Sequence, residues 1–359
     1  MNPHTSHDPQ ATRESFRALR GNAPRLRIRD AAERLGLREA QLLAAHLGHG
    51  VSLLTPAWHA IATDLPQIGE ALALTRNETA VIEAKGNYEN VDAKAGLALG
   101  ERIDLRLFLE QWRFGFAVTD DEELGFHRSM QFFDGTGTAV HKIFKTERTD
   151  DGALNAVINR YRASAQEWRG RVEHEVESPQ PNGDTDIAGL RAGWAAMNDT
   201  HEVFALLKRF GVDRLRALEL IGVEYARRVG HDSLRIALTK AAAVGLPVMI
   251  FVGNRGAVQI YTGTIENVRP MGEWLNILDP GFNLHVLASR IASAWVVQRP
   301  TRDGTVTSLD LFDRAGALIL QLFGKRKPGQ PELAGWRALA AALAEAGGGS
   351  QAGTVAAAG

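Results

Sequence analysis

The chain has 359 residues, of which 45% are hydrophobic and 23% are charged, and its formal net charge is −1. This size predicts a globular protein with two domain-sized units, and the balanced charge gives no overall field that would attract nucleic acid or an anionic membrane. The chain contains no cysteine, which excludes disulfides, thiolate nucleophiles and cysteine-ligated metals. Any metal must therefore be held by His, Asp, Glu or Tyr.

The first half runs from helices into strands. Apolar periodicity predicts helices over residues 31–47. Short β-rich runs separated by Gly, Asn and Asp then predict strands over 80–83, 114–119, 129–133 and 139–144.

The second half follows the same plan. Apolar residues from Val203 to Phe210 recur at helical spacing, and Gly211 is expected to end that helix. A second amphipathic helix is predicted over 214–229. Strands are predicted over 248–252, 257–261, 291–297, 306–312 and 318–323, the last two joined as an antiparallel hairpin by the turn at 313–316.

The two halves share a repeated sequence. Residues 77–91 (NETAVIEAKGNYENV) return as 254–268 (NRGAVQIYTGTIENV), and the match continues with a two-residue slip to the end of each half. The pattern of helices followed by strands, stated twice, predicts an α+β fold with an internal duplication. Differences between the two copies mark the surface that was specialised.

The repeat defines the expected domains. We predict a first repeat over 14–167, a linker over 168–187 that is rich in Pro, Asn and Gly, and a second repeat over 188–345. Residues 1–13 and 347–359 are predicted to be disordered tails. The N-terminal residues contain no apolar segment and the longest apolar run, 241–253, is too short to span a bilayer, so we expect a cytoplasmic protein.

Three motifs do not support the function that they first suggest. Gly135 and Gly137 fall where the second repeat has its hairpin turn, which favours a turn over a nucleotide-binding loop. The run 201–205 begins like the HExxH zinc motif, but Ala205 replaces the second ligand. His46 and His49 are interpreted as an exposed pair at a helix C-terminus.

His201 is the remaining candidate ligand. When Gly36 is aligned with Gly211, Leu26 falls opposite His201 and Glu39 falls opposite Arg214, so only the second copy could bind a metal here. The run 198–200 predicts a helix cap that places His201 in the first helical turn, where the helix dipole favours a neutral imidazole. The residues alone leave open a lone capping or surface histidine.

Several long segments resemble one family, the bacterial cytoplasmic haemin-utilisation proteins of the HemS/HmuS/ChuS/PhuS type. The resemblance covers residues 14–343, and its segments occur in the family's order: 103–108 (IDLRLF), 199–214 (DTHEVFALLKRFGVDR), 253–256 (GNRG), 270–285 (PMGEWLNILDPGFNLH) and 323–332 (FGKRKPGQPE). It implies two similar lobes, each with a large antiparallel sheet and helices, and one haem (iron protoporphyrin IX) in a cleft between the lobes.

The resemblance also implies the site residues. His201 matches the proximal iron ligand, Arg106 matches an arginine over the distal face with Phe108 beside the macrocycle, and Arg214 matches a second pocket arginine. Phe251 matches a residue that packs on the porphyrin, and Arg299 matches a basic residue that is often Lys in relatives. Gln321 matches a residue that lines the pocket, and Arg326 matches one that contacts a propionate. Leu320 stands where some relatives have Tyr, so a phenol hydrogen bond is not expected here. The set meets the demands of haem for a neutral nitrogen, apolar walls and cationic partners for its carboxylates.

Two functions follow from the resemblance. In one, the protein degrades haem oxidatively and releases iron, with His201 and Arg106 as the catalytic residues and an external electron donor. In the other, it is a carrier that takes haem from an importer and passes it to a separate haem oxygenase. A haem-responsive regulator that binds nucleic acid is disfavoured by the near-neutral charge and by the lack of a DNA-binding motif.

Overall fold

The computed structural model describes residues 8–168, 170–173, 185–327 and 329–351. Ten α-helices form in these residues: α1 (Pro9–Asn22), α2 (Ile28–Arg34), α3 (Glu39–Ala45), α4 (Trp58–Asp64), α5 (Asp151–Tyr161), α6 (Ile187–Ala195), α7 (Glu202–Phe210), α8 (Arg214–Leu220), α9 (Ser233–Ala243) and α10 (Ala334–Gln351). Short 3-10 helices occur at Leu65–Ile68, Leu109–Gln111 and Ala288–Arg290. Among the described residues, no helix combines the length and apolar character that crossing a membrane requires.

Eighteen strands form in the same residues. Those that begin in the first half are β1 (Val51–Leu53), β2 (Gly69–Arg76), β3 (Ala80–Asn87), β4 (Val91–Asp92), β5 (Leu97–Leu99), β6 (Asp104–Leu107), β7 (Phe114–Val118), β8 (Ser129–Phe133) and β9 (Ala139–Thr149). Those of the second half are β10 (Ala226–Val229), β11 (Val248–Gly253), β12 (Ala257–Gly263), β13 (Val268–Met271), β14 (Trp274–Asp279), β15 (Phe282–Leu287), β16 (Ser293–Arg299), β17 (Val306–Phe312) and β18 (Leu318–Gly324).

The strands form two nine-stranded sheets with the same plan. Their orders are β1-β7-β8-β9-β2-β3-β15-β14-β13 and β10-β16-β17-β18-β11-β12-β6-β5-β4. Each sheet thus takes six strands from one half of the sequence and three from the other, in equivalent positions. The pairs β7·β8, β8·β9 and β2·β9 are antiparallel, as are their counterparts β16·β17, β17·β18 and β11·β18.

The duplication extends to an irregularity of the sheets. A register shift separates Phe132 from Phe133 on β8, and an equivalent shift separates Leu311 from Phe312 on β17. A β-bulge bends and twists a strand at one defined position, and such bulges are kept as structural features. The predicted α+β fold with an internal repeat is confirmed, and so is the hairpin turn between β17 and β18.

The chain divides into two compact units that are each discontinuous in sequence. The first unit contains residues 1–76, 83–176 and 253–259, and the second contains 77–82, 177–252 and 260–359. The cores follow this division, since Ala257 packs in a buried cluster of the first unit, whereas Ala80 and Ile82 pack in one of the second. Each half of the sequence therefore supplies one short segment to the unit that the other half mainly builds.

Equivalent asparagines hold these segments in place. Within the second unit, Nδ2 of Asn77 donates to the carbonyl of Ile319 at 2.7 Å. Within the first unit, Nδ2 of Asn254 donates to the carbonyls of Arg76 and Val140, each at 2.8 Å. The side-chain oxygen of each asparagine accepts backbone N–H groups two and three residues further along, which closes a turn before β3 and β12.

The structure corrects three predictions from the sequence. The helix predicted over 214–229 ends at Leu220, and 226–229 instead form β10, which pairs with β16. Residues 9–13 and 347–351, expected in disordered tails, belong to α1 and α10, while 1–7 and 352–359 lie outside the described residues.

His46 provides the third correction, because it is buried rather than exposed. Its Nδ1 lies 2.9 Å from the carbonyl of Leu42, and its ring packs edge-on against Phe16 and Phe126. Burial lowers the pKa of His46, so the ring is a neutral part of the core. Of the predicted linker, 169 and 174–184 lie outside the described residues.

Candidate functional site

The candidate residues fall in both units. The second unit carries six of them: His201, Arg214, Phe251, Arg299, Gln321 and Arg326. The first unit carries Arg106 and Phe108.

His201 stands at the start of α7, as its N-cap residue, one position before the first helical turn in which it was expected. Its side chain is 87% exposed. One oxygen of Asp199, Oδ1, accepts the backbone N–H of His201 at 2.8 Å and lies 2.6 Å from Nδ1 of the ring. These two hydrogen bonds hold the pKa of Asp199 below its ordinary value, and the ring contact leaves Nε2 as the nitrogen that can bind a metal.

Phe204 and Arg214 are two further side chains of the candidate site. Phe204 follows His201 by three residues, so the two side chains lie on the same face of α7, and 65% of Phe204 is exposed. The guanidinium carbon of Arg214 lies 5.2 Å from the centre of the Phe204 ring. Gly211 makes this possible by ending α7 in the left-handed conformation (φ 61°), after which Asp213 caps α8 and places Arg214 at its first position.

A buried carboxylate, Asp310 on β17, organises the charged residues behind Arg214. Arg299 donates to Asp310 at 2.7 Å and to the hydroxyl of Ser308 at 2.5 Å. Gln321 donates to Asp310 at 2.8 Å, and Nη1 of Arg214 lies 4.0 Å from the same carboxylate oxygen. Burial lowers the pKa of Arg214, and Asp310 opposes that effect. Two guanidinium groups share one carboxylate, which leaves one positive charge in excess.

Aromatic rings border this charged cluster. Phe251 on β11 pairs in register with Gln321 on β18, and its ring meets Phe323 at 5.1 Å in an edge-on arrangement. Arg326 follows β18, and its Nε is buried without a hydrogen-bond partner among the described residues. Leu320 is buried in the core cluster of the second unit, so no hydroxyl is supplied from this position.

Arg106 lies on β6 of the first unit. Leu105 and Leu107 on either side are buried, while the Arg106 side chain is 37% exposed and bonds Asp104 at 2.5 Å. Phe108 is the first residue after β6, and its side chain is 39% exposed. Its backbone N–H donates to the carbonyl of Gly256 at 2.9 Å, which fixes its position. The strand alternation inferred from the sequence thus places Arg106 on the face opposite the core.

Sequence reasoning missed three residues of this site, namely Asp199, Phe204 and Asp310. Asp199 was assigned only to a capping run. Phe204 breaks the helical pattern as a large apolar residue on the polar face of α7, which was an available signal. Asp310 interrupts an apolar strand, with Ser308 on the same face, and a charge at such a position needs a buried partner.

Comparison with known proteins gives a consistent result. The family model of the haemin-degrading HemS/ChuX domain matches residues 36–161 and 211–343, one match in each repeat. The hemin transport protein HmuS of Yersinia pestis is 41% identical over 313 residues, which cover 86% of this chain and 90% of that protein. His201 itself lies outside the residues matched by the family model.

Solved structures agree in fold and in sequence. The crystal structure of holo-PhuS, a heme-binding protein from Pseudomonas aeruginosa, has a TM-score of 0.89 and 42% identity, and the match covers 94% of this chain and 99% of that one. The heme degrading enzyme ChuS of Escherichia coli O157:H7 has a TM-score of 0.87 and 37% identity, with 93% and 99% covered. The chain belongs to the haemin-degrading HemS/ChuX family.

Proposed function

We propose that the protein binds one haem through Nε2 of His201 and serves in haem-iron utilisation. The observation that carries the proposal is the arrangement within the second unit of an exposed, carboxylate-oriented histidine, an exposed aromatic ring and a cluster with one excess positive charge. Haem needs one neutral nitrogen, an apolar wall and cationic partners for its propionates, so the donor set fits the group.

The second-unit residues have separate roles in this proposal. His201 binds the iron, Phe204 and Phe251 pack against the porphyrin, and Arg214 attracts a propionate. Arg299 and Gln321 are tied to Asp310 and hold the cluster in shape. Arg326 contributes a buried Nε that a propionate oxygen can accept from. Bound haem supplies the redox-active iron, while these side chains bind it, orient it and exclude water.

Arg106 and Phe108 of the first unit enter the proposal from the resemblance alone. A guanidinium that is partly exposed and steadied by Asp104 can donate a hydrogen bond to a ligand or propionate, and Phe108 offers an exposed ring. We place the protein in the cytoplasm, where it receives haem from an importer.

The fate of the haem separates two forms of the function. Degradation makes the protein an enzyme with an external electron donor, and ChuS is described as a heme degrading enzyme. Delivery makes it a carrier for a separate haem oxygenase, and HmuS is described as a hemin transport protein.

A haemin titration followed in the Soret region tests binding. Wild type and His231→Ala, which changes another exposed histidine, are expected to bind one equivalent, while His201→Ala loses most of the affinity. Unchanged binding by His201→Ala would overturn the ligand assignment.

A second experiment tests the fate of the bound haem. Ascorbate or a reductase is added to the complex in air with catalase present. Loss of the Soret band with release of iron indicates degradation, whereas a stable spectrum indicates a carrier.

A further inference from the structure

In the turn before α7, one carboxylate oxygen contacts both the backbone and the ring of the candidate iron ligand. Oδ1 of Asp199 accepts the backbone N–H of His201 at 2.8 Å and contacts Nδ1 of the imidazole at 2.6 Å. The backbone of the turn is closed by Glu202, whose N–H donates to the carbonyl of Asp199 at 3.2 Å and whose Oε2 accepts the N–H of Asn198 at 3.3 Å. The turn is therefore closed, and two hydrogen bonds with His201 hold the Asp199 carboxylate against the ring.

We propose that Asp199 is a positioning residue that holds His201 in the tautomer with its proton on Nδ1 and thereby presents Nε2 to the haem iron. An ionised carboxylate can only accept hydrogen bonds, so the nitrogen that faces it must carry the proton. The lone pair of the neutral ring then lies on Nε2, on the side away from Asp199. This inference rests on the proposed function and adds how the ligand is prepared.

The need for such a device follows from the exposure of the ring. A histidine side chain that is 87% exposed is free to rotate and to exchange its tautomers in water. The hydrogen bond to Asp199 removes that freedom before the iron arrives. A carboxylate behind a metal-binding imidazole also increases the basicity of the ligand, and loss of such a partner typically lowers metal affinity about 10–100-fold.

The two repeats support a functional pairing of the two residues. In the alignment that places Leu26 opposite His201, Pro24 falls opposite Asp199. The first copy has neither the imidazole nor the carboxylate, and the second copy has both. If Asp199 served only to close the turn before α7, its presence would not need to follow that of the histidine.

Three variants separate the positioning of His201 from simple stabilisation of the turn before α7. Asp199→Ala removes both hydrogen bonds, while Asp199→Asn keeps an oxygen acceptor without the charge. Asp150→Ala is the matched control, because Asp150 caps α5 of the first unit by accepting the N–H of Ala153 at 2.9 Å and has no contact with His201 among its described hydrogen bonds. The thermal unfolding midpoints of the three variants show how much stability each substitution removes, whatever its effect on the tautomer of His201.

The first readout needs no haem. In the apo-protein labelled with ¹⁵N-histidine, long-range ¹H–¹⁵N correlation spectra report which ring nitrogen carries the proton, and His201→Ala assigns the signal. Wild type, Asp199→Asn and Asp150→Ala are expected to carry it on Nδ1, and Asp199→Ala is expected to shift towards the Nε2-protonated form. A wild-type ring protonated on Nε2, or an unchanged tautomer in Asp199→Ala, overturns the inference.

The second readout links the tautomer to the iron. In haemin titrations, Asp199→Ala is expected to bind about 10–100-fold more weakly than wild type, and its ferric/ferrous midpoint potential is expected to rise because the ligand donates less charge. Asp150→Ala should match wild type in both. If His201→Ala binds haemin as wild type does, the proposed function fails whatever the tautomer is. If His201→Ala loses binding but Asp199→Ala keeps wild-type affinity and potential, only this inference fails.

Discussion

Nη2 of Arg299 lies 2.7 Å from Oδ2 of Asp310, and the exposed fractions of the two side chains are 3% and 0%. Arg214 approaches the same oxygen at 4.0 Å. One buried carboxylate is therefore shared by two arginines and balances the charge of only one of them. This relationship sets both the shape of the charged cluster and the sign of the field that a propionate would meet.

Removal of Asp310 should be strongly destabilising. Asp310→Ala leaves two guanidinium groups without their shared partner, and breaking a buried ion pair in this way costs about 3–5 kcal/mol. Urea unfolding measures this as a lower transition midpoint. Asp232→Ala breaks an exposed pair with Arg235 and should change the midpoint far less. Equal midpoints for the two variants would contradict the organising role of Asp310.

Arg106→Ala should retain haem binding but alter what the bound haem does. Its guanidinium is partly exposed, and among the described residues its hydrogen bonds are to local groups of β6, so little folding energy depends on it. We expect similar haemin affinity with a changed rate of haem loss in the presence of a reductant, or with changed binding of an exogenous ligand. Arg106→Lys keeps the charge without the planar fork and should resemble Ala if directional hydrogen bonding matters. Wild-type behaviour in both variants would remove Arg106 from the site.

The protein should become less stable as pH falls, in part because of His141. This fully buried ring contacts the hydroxyls of Tyr88 at 2.8 Å and Thr75 at 3.0 Å, and burial lowers its pKa to about 3 from 6.5. Between these values the unfolded chain takes up a proton that the folded protein does not. The free energy of unfolding is therefore unaffected by this group above about pH 6.5, and it decreases as pH falls, by up to about 5 kcal/mol near pH 3.

Urea midpoints measured from pH 7 to pH 4 test this expectation. His141→Gln keeps hydrogen-bonding groups but cannot take up the proton, so its stability should decline less steeply than that of wild type across this range. Parallel curves for the two proteins would show that His141 is not the titrating group.

Gly211 should be needed for its backbone conformation alone. It has φ 61°, and a Cβ added there would meet no atom within 4 Å. Gly211→Ala is therefore expected to cost about 1–2 kcal/mol through backbone strain without any clash. Gly230→Ala is the control, since that position is equally open and its φ is not in the left-handed region. We expect a lower unfolding midpoint for the first variant only.

Much of the fold could be predicted from local sequence. The strands at 129–133 and 306–312 were predicted with the bounds that the structure has, because apolar runs and turn residues mark them at close range. The helix predicted over 214–229 was wrong in its second part. Gly222 adopts φ 103°, and the strand that follows is stabilised by pairing with β16, a partner some seventy residues away that local periodicity cannot reveal.

The candidate site, too, could be predicted from the sequence only in part. His201 could be singled out as a candidate because the repeat offers a reference, with Leu26 at the equivalent position, but its assignment as the iron ligand is implied by the family resemblance. Asp310 could not be assigned a partner, because its pairing with Arg299 depends on which strands become neighbours in the sheet. The orientation of His201 by Asp199 depends on how one turn closes, and a capping run in the sequence does not specify which donor the carboxylate serves.

The exchanged segments have a consequence for dissection of the protein. A gene cut within 168–187 would yield two fragments, and each would carry a segment, 77–82 or 253–259, whose packing partners lie on the other fragment. Each fragment would also leave a gap where the other's asparagine turn belongs. Co-expression of the two fragments is the natural way to recover either fold. The ancestral duplication thus produced two folds that each depend on the other's sequence for completion.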